Sequence, residues 1–250
     1  LAPSEPQITV KSESVLKIDL NSPIKEQTFE DPFDLSSIVE SVPGLSTNIP
    51  SNSLGILDAV YAIDNAAKDP NIKYILITGC DGGSELAYME EVRNALERFR
   101  QSGKPVIAYG ENFSLSGYYI ASIADKIYAD NLASNTIMGL STTILYLKDI
   151  LGRFGVEMQL IRHGKYKSAG EQFIADKMSE ANHEQTLSRL TSTWNHLAAR
   201  MAISRNISIE KFDELVDNLQ ITTPAQLLEN KLIDVLCTGA EFNEAICALA

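Results

Sequence analysis

A strand, a loop and a helix follow one another repeatedly through the middle of the chain, and this order constrains the fold most. Residues 74–77 form a short, continuous apolar run, which is typical of strands that are buried on both faces. A loop at 78–83 and an amphipathic helix at 84–100 come next, and a second apolar strand follows at 106–109. Such alternation, at roughly 25–35-residue spacing, predicts an α/β fold with parallel strands and helices packed on the sheet.

The ends of the predicted strands indicate where functional groups should lie. In α/β folds, binding and catalytic side chains gather in the loops beyond the carboxyl ends of the parallel strands. Three loops qualify here, at residues 78–83, 110–117 and 163–170. Catalytic and binding side chains are therefore expected in these three loops.

The rest of the chain extends this pattern without an evident boundary. Residues 15–20 alternate as a first strand, and residues 156–161 alternate as a strand that leads into the third loop. After residue 178 the composition favours helices, so residues 179–250 are predicted to form a mostly helical part. Since no linker separates the two parts, we predict a single domain over residues 1–250.

Composition and charge exclude several classes of function. The formal net charge of −12 disfavours a nucleic-acid-binding protein, because phosphate recognition requires basic patches. No apolar run reaches the ~18 residues of a membrane-spanning helix. The three cysteines form no C-x-x-C pair and the three histidines have no metal-ligand spacing, so no metal site is predicted. No phosphate-binding or dinucleotide motif is present, and no cofactor is predicted.

The third loop contains the best candidate for a catalytic side chain. Lys167 follows Tyr166 and precedes two small residues, with Phe173 close behind. These neighbours make Lys167, rather than Lys165, the lysine that we expect to be held among apolar groups. Burial lowers the pKa of a lysine, and a neutral amine can act as general base for a serine hydroxyl. The competing interpretation is that both lysines are ordinary solvated loop residues.

Two further features of these loops have both a structural and a functional interpretation. Glu171 could form an ion pair with Lys167, which would raise the pKa of the lysine and oppose a general-base role, or it could serve structurally. Gly82 and Gly83 lie between a buried strand and a helix, where backbone N–H groups could bind an oxyanion or a phosphate. The same pair of glycines is also typical of a simple tight turn.

Several stretches resemble the signal peptide peptidase A family, also called protease IV, and specifically the amino-terminal half of its long form. They are residues 102–106, 110–112, 118–122, 164–173 and 228–234. The lysine loop at 164–173 is the specific part of this likeness, which spans residues 15–249. The resemblance implies the α/β fold shared by the Clp protease and crotonase groups, with repeated strand-helix units and a helical carboxyl-terminal part. It also implies a Ser/Lys hydrolase.

The resemblance implies an active site that is split between two similar halves. The general-base lysine of the amino-terminal half maps onto Lys167, and the nucleophilic serine belongs to the carboxyl-terminal half. The matching serine position here is Leu115, which has no hydroxyl, so we expect the chain alone to be inactive. A one-domain Ser/Lys protease that uses Ser116 is the alternative. Gly82 and Gly83 match the turn that would form the oxyanion hole in the serine-bearing half.

Partners and location are also implied by the resemblance. The family degrades signal peptides that remain in the membrane, is anchored in the inner membrane facing the periplasm, and assembles as a tetramer. We therefore expect three partners, namely the carboxyl-terminal half, further copies and signal peptides, while this stretch itself should be soluble. Two other functions stay open: a catalytically silent scaffold or binding domain, because fold does not fix function, and an acyl-CoA enzyme of the crotonase group.

Overall fold

The computed structural model describes residues 10–26 and 54–249. The chain divides into two compact units, one formed by Leu1–Met138 with Met201–Ala250 and the other by Gly139–Arg200. Within the described stretches, no helix is both long and apolar enough to cross a membrane.

A parallel sheet forms the centre of the first unit. Its strands lie in the order β1 (Ser14–Asp19), β4 (Ile72–Thr78), β5 (Val106–Phe113), β6 (Lys126–Asn135) and β7 (Val235–Cys237). All four neighbouring pairs are parallel. Two short strands, β2 (Ile24–Lys25) and β3 (Leu54–Gly55), pair separately, also in parallel. The predicted α/β fold is confirmed, since the central strands are the continuous apolar runs that burial on both faces requires.

Helices pack around this sheet through apolar faces. In the first unit they are α1 (Ile56–Lys68), α2 (Leu86–Gln101), α3 (Leu115–Ala121), α7 (Ile209–Asp217), α8 (Pro224–Glu229) and α9 (Gly239–Cys247). Helix α1 buries Ile56, Ala59 and Ile63, which recur at the three- to four-residue spacing of one helix face. Helices α8 and α9 each begin with a capping box, in which threonine and the third helical residue satisfy each other's backbone N–H groups.

One buried arginine links the helices of the first unit. Arg93 of α2 is fully buried and donates to the backbone carbonyl of Tyr119 and, at 2.9 Å, to the hydroxyl of Ser122. Its other terminal nitrogen donates to the hydroxyl of Ser204 at 2.6 Å. The guanidinium also lies over the ring of Tyr119. Arg93 therefore ties α2 to the carboxyl-terminal end of α3, the short helix that follows the second candidate loop.

The second unit is smaller and contains the lysine loop. Its helices are α4 (Lys148–Arg153), α5 (Glu171–Ile174) and most of α6 (Glu180–Ser204), whose last residues belong to the first unit. The predicted strand at 156–161 is wrong, because these residues form no strand among those described. The N–H of Val156 instead bonds to the carbonyl of Leu151. Alternation of side chains is not enough to make a strand, which also needs a neighbouring backbone with which to pair.

Candidate functional site

The loop after β4 is packed tightly against the end of β1. The N–H of Gly82 donates to the carbonyl of Gly79 at 2.9 Å and closes a turn. Gly79 has a φ of +66°, and a Cβ on Gly82 would lie 2.4 Å from the carbonyl oxygen of Leu20. These glycines are therefore required both by the turn and by the close approach of two loops.

The start of α3 lies directly against this turn. Ser114 caps the helix by accepting from the N–H of Gly117, and its hydroxyl donates to the carbonyl of Gly82 at 2.9 Å. Ser116 Oγ lies 3.2 Å from Ser114 Oγ and 3.5 Å from the same carbonyl. A Cβ on Gly83 would lie 2.2 Å from Ser116 Oγ. The structure thus brings Gly82, Gly83, Ser114 and Ser116 together, as their places in two neighbouring loops predict.

The orientation of the turn limits what it can do in this chain. An oxyanion hole needs free N–H donors that point toward the developing charge. Here the N–H of Gly82 is used inside the turn, while the carbonyl of Gly82 faces the two serine hydroxyls. Leu115, the residue between those serines, is the first residue of α3. The contacts of Gly82 and Gly83 described here are therefore those of close packing.

A buried cysteine beneath the turn is not a nucleophile. Cys80 is 1% exposed, and its thiol contacts the carbonyl of Tyr109 at 3.5 Å. Burial, together with the carboxylates of Asp81 and Asp19, raises the pKa of the Cys80 thiol to about 12. Since the thiolate is the reactive form, this side chain stays unreactive at neutral pH. Among the described residues no cluster of three or more histidine, cysteine, aspartate or glutamate side chains could hold a metal ion.

Replacing Gly117 by alanine tests how tightly α3 packs on this turn. A Cβ at Gly117 would lie 1.8 Å from the backbone carbonyl oxygen of Cys80. This clash can be relieved only if the backbone of α3 or of the turn moves. We expect Gly117→Ala to lower the free energy of unfolding by about 1–3 kcal/mol in urea denaturation. Gly152→Ala in α4 is the control, because no described atom lies within 4 Å of its added Cβ. An equal loss in both variants would contradict the close packing of α3 on Cys80.

The lysine loop of the second unit presents Lys167 to solvent. The side chain is exposed, and within the described residues its amine makes no ion pair. This corrects the expectation that Tyr166 and Phe173 bury it, because Tyr166 is itself 46% exposed and donates its hydroxyl to Glu184. Lys165 is held differently, stacked on Tyr166 and 4.0 Å from Glu184. Its hydrogen bond with Tyr166 and the nearby carboxylate raise the pKa of Lys165.

Glu171 forms the most enclosed polar cluster of this unit. The carboxylate is 3% exposed and accepts from Arg162 at 2.9 Å, from the Ser179 hydroxyl at 2.7 Å and from Asn182 at 3.1 Å. The hydrogen bond from Ser179 lowers the pKa of Glu171 most, burial opposes it, and the Arg162 guanidinium adds to the lowering, to about 2. Glu171 therefore pairs with Arg162 instead of Lys167. Of the two interpretations given above, the structural one applies.

Acid unfolding should report on Glu171. Because its folded pKa of about 2 lies below its ordinary 4.5, the ionised carboxylate stabilises the protein above pH 4.5, and this contribution is lost as the pH falls toward 2. We expect Glu171→Gln to cost about 1–3 kcal/mol of unfolding free energy at pH 7 and progressively less below pH 4.5. The measurement is chemical denaturation of both proteins across this pH range. A difference that stays constant down to pH 2 would contradict the lowered pKa.

Sequence reasoning missed Arg162, because nothing in its local pattern distinguishes it from a solvated loop residue. The available signal was its position, nine residues before Glu171 in a loop that folds back on itself. An arginine and a carboxylate that flank such a loop can pair across it. From the sequence, the only predicted partner of that carboxylate was Lys167.

Large apolar side chains are concentrated on the surface of the second unit. An open groove of about 740 Å³ lies there, lined by residues of α4, by residues 155–158 and by Phe173 and Ile174. The exposed apolar residues between 145 and 166 are Leu145, Ile150, Phe154, Val156, Met158, Leu160, Ile161 and Tyr166. Large contiguous apolar patches on a protein surface are typical of sites of contact with another molecule.

Comparison with known families decides the assignment. The model of peptidase family S49 matches residues 98–248, which include α3, the lysine loop and the helical end of the chain. The chain belongs to peptidase family S49. The parallel sheet flanked by helices agrees with the Clp protease/crotonase-like fold that the resemblance to this family implies. Leu115 and Lys167 lie within the S49 match, while Gly82 and Gly83 precede it.

Similar proteins come from bacteria and plants. The chain is 37% identical over 169 residues to Protease 4 of Haemophilus influenzae, which covers 66% of this chain and 26% of that protein. It is 35% identical over 213 residues to Protease 4 of Salmonella typhi, covering 80% and 34%. It is 30% identical over 192 residues to the chloroplastic serine protease SPPA of Arabidopsis thaliana, covering 74% and 25%. The predicted relation to signal peptide peptidase A is confirmed, and the match spans about a quarter to a third of these relatives.

Proposed function

We propose that this chain is the amino-terminal S49 domain of a two-half signal peptide peptidase and that it supplies Lys167 as the general base. The nucleophilic serine would come from a second S49 domain. The names of the relatives support a protease, and the match leaves two thirds or more of each relative for further domains. The same proposal includes the substrate, the location and the assembly. The enzyme would be a tetramer that hydrolyses signal peptides at the periplasmic face of the inner membrane.

The observation that carries this proposal is the surroundings of Leu115. A leucine occupies the position that matches the family's serine, and the serines on either side of it are bonded to the carbonyl of Gly82. Ser116 Oγ contacts that carbonyl and the Ser114 hydroxyl, and neither group can remove its proton at neutral pH. These contacts favour a lysine-donating half over a complete one-domain enzyme.

The proposed reaction needs one lysine and one serine. The neutral amine of Lys167 takes the proton of the serine hydroxyl as that oxygen attacks the peptide carbonyl carbon. The resulting ammonium returns this proton to the leaving amine, the C–N bond breaks, and an acyl-serine remains. Water then hydrolyses the ester, with Lys167 again accepting and returning a proton, so that the enzyme is restored.

The exposed surface of the second unit supports the need for a partner. In this chain the side chain of Lys167 is exposed to water. A partner domain that covers the neighbouring apolar residues, such as Ile161, 98% exposed, would exclude water from the same region. Binding of the partner domain would then also activate the lysine.

Covalent labelling tests the proposal. A fluorophosphonate probe reacts with activated serines, and mass mapping identifies the residue that carries it. We expect no label on the isolated chain, and a label on the serine of the second S49 domain when the two are expressed together. That label should require Lys167 and should be unaffected by Ser116→Ala. A label on Ser116 of the isolated chain that is lost in Lys167→Ala would instead establish a one-domain Ser/Lys protease. Absence of any label in the assembled protein would favour a catalytically silent scaffold.

A further inference from the structure

One arginine connects the backbone of Lys167 to the buried carboxylate of the second unit. Arg162 Nη1 donates to the carbonyl oxygen of Lys167 at 3.1 Å and to Glu171 Oε1 at 2.9 Å. The residues that it bridges are four apart, so the guanidinium closes the loop at 162–171. The side chain of Arg162 keeps 36% exposure, while that of Glu171 keeps 4%.

The carboxylate that anchors this bridge is itself fixed. Glu171 begins α5 and also accepts from the backbone N–H of Ser179 at 3.3 Å, just before the start of the 25-residue helix α6. Asn182, in the first turn of that helix, holds the second carboxylate oxygen. An ionised carboxylate near the amino terminus of a helix is favoured by the helix dipole and by the free N–H groups there. Arg162 therefore links the loop to a rigid element.

The two lysines of the loop are held in opposite ways. Lys165 is fixed at its side chain, which stacks on Tyr166 and lies beside Glu184. Lys167 is fixed at its backbone carbonyl, and its amine makes no ion pair with any described residue. A fixed backbone with an exposed amine suits a group that must reach a serine from another surface. A side chain that is tied down by a carboxylate does not.

We propose that Arg162 is a positioning residue, which holds the backbone of Lys167 at a set place relative to α6 through its shared hydrogen bonds to Lys167 and Glu171. The catalytic part of this inference rests on the proposed function, because it takes Lys167 as the general base. The hydrogen bonds of Arg162 to Lys167 and Glu171 do not depend on that function. Holding a catalytic group in place lowers the entropic cost of reaching the reactive geometry, and misplacement by about 1 Å costs up to about 10²-fold in rate. Arg162 thereby acts through Lys167 without touching substrate.

The first experiment measures the bridge in the isolated chain. Arg162→Gln should shift the ¹³C resonance of the Lys167 carbonyl and raise amide hydrogen exchange at residues 166–171 by at least about tenfold, as expected for the loss of a hydrogen bond to a charged group. Exchange in α6 beyond its first turn should not change. Arg162→Lys retains a cation that can donate to both oxygens, and it should restore most of the protection. Arg153→Gln removes the same charge from the end of α4 and is the matched control.

The second experiment measures the consequence in the assembled two-domain enzyme. Arg162→Gln should lower kcat by about 10–10²-fold with KM nearly unchanged, and Arg162→Lys should recover most of it. An unchanged carbonyl resonance and unchanged exchange in Arg162→Gln would overturn the bridge. A shifted carbonyl resonance and faster exchange in Arg162→Gln, combined with an unchanged kcat, would overturn the positioning role. Full activity in Lys167→Ala would overturn the proposed function instead, while leaving the bridge intact.

Discussion

Replacement of Lys167 by alanine is expected to lower kcat of the assembled two-domain S49 enzyme by about 10²–10⁴-fold, the usual contribution of a general base. Lys165, the other lysine of the loop, is held by Tyr166 and Glu184. Lys167→Arg should be equally inactive, since a guanidinium does not give up its proton near neutral pH. The measurement is turnover of an apolar peptide substrate at saturating concentration.

The matched control is Lys165→Ala, which removes the same type of side chain two residues away. We expect that variant to keep nearly all of kcat, because the amine of Lys165 is engaged with its neighbours in the loop. The exchange protection of α6 should be the same in both variants, which separates catalysis from folding. Comparable activity in Lys167→Ala and Lys165→Ala would show that neither lysine is the base.

The second large effect concerns the stability of the first unit. Arg93→Ala is expected to lower the free energy of unfolding by about 3–5 kcal/mol, the range for breaking a buried charged network. The variant leaves the carbonyl of Tyr119 and the hydroxyls of Ser122 and Ser204 without their cationic donor, and it opens a cavity between α2, α3 and α6. Urea denaturation followed by circular dichroism measures the loss.

Two variants separate the causes of that loss. Arg93→Met fills much of the same volume without donors, so the loss that it shares with Arg93→Ala comes from unsatisfied polar groups. Arg98→Ala, five residues further along α2, removes an exposed arginine that pairs with Asp64 at 2.9 Å. Surface ion pairs contribute about 0–1 kcal/mol, so this control should change little. If Arg98→Ala destabilised the protein as much as Arg93→Ala, burial would not be the reason for the effect.

Sequence patterns predicted the sheet well and the lysine loop incompletely. Strands β4 and β5 are short apolar runs bounded by turn residues, and these runs require parallel neighbours on both sides whatever the remaining chain does. The segment 156–161 also has a pattern typical of strands, an alternation of apolar and polar residues, yet it forms no strand with the described residues. The difference is that pairing is a property of two segments, and one segment's pattern does not supply the second backbone.

The exposure of Lys167 was mispredicted for a related reason. Aromatic neighbours in sequence, such as Tyr166, suggested an apolar environment, but the hydroxyl of Tyr166 bonds to Glu184 of α6, which leaves the ring half exposed. Burial depends on what packs over a side chain from distant parts of the chain or from a partner. The pairing of Glu171 with Arg162 instead of Lys167 likewise depends on how the loop folds back.

The amino-acid sequence by itself determined the α/β fold, the relation to signal peptide peptidase A and the identity of the lysine loop, because these follow from local periodicity and short motifs. Only the tertiary structure decided that the N–H of Gly82 is used inside its own turn, that Arg93 ties three helices together, and that Arg162 bridges Lys167 and Glu171. Such contacts join residues that no local sequence pattern pairs with each other. Their geometry depends on folded elements that place a donor and an acceptor within about 3 Å of each other.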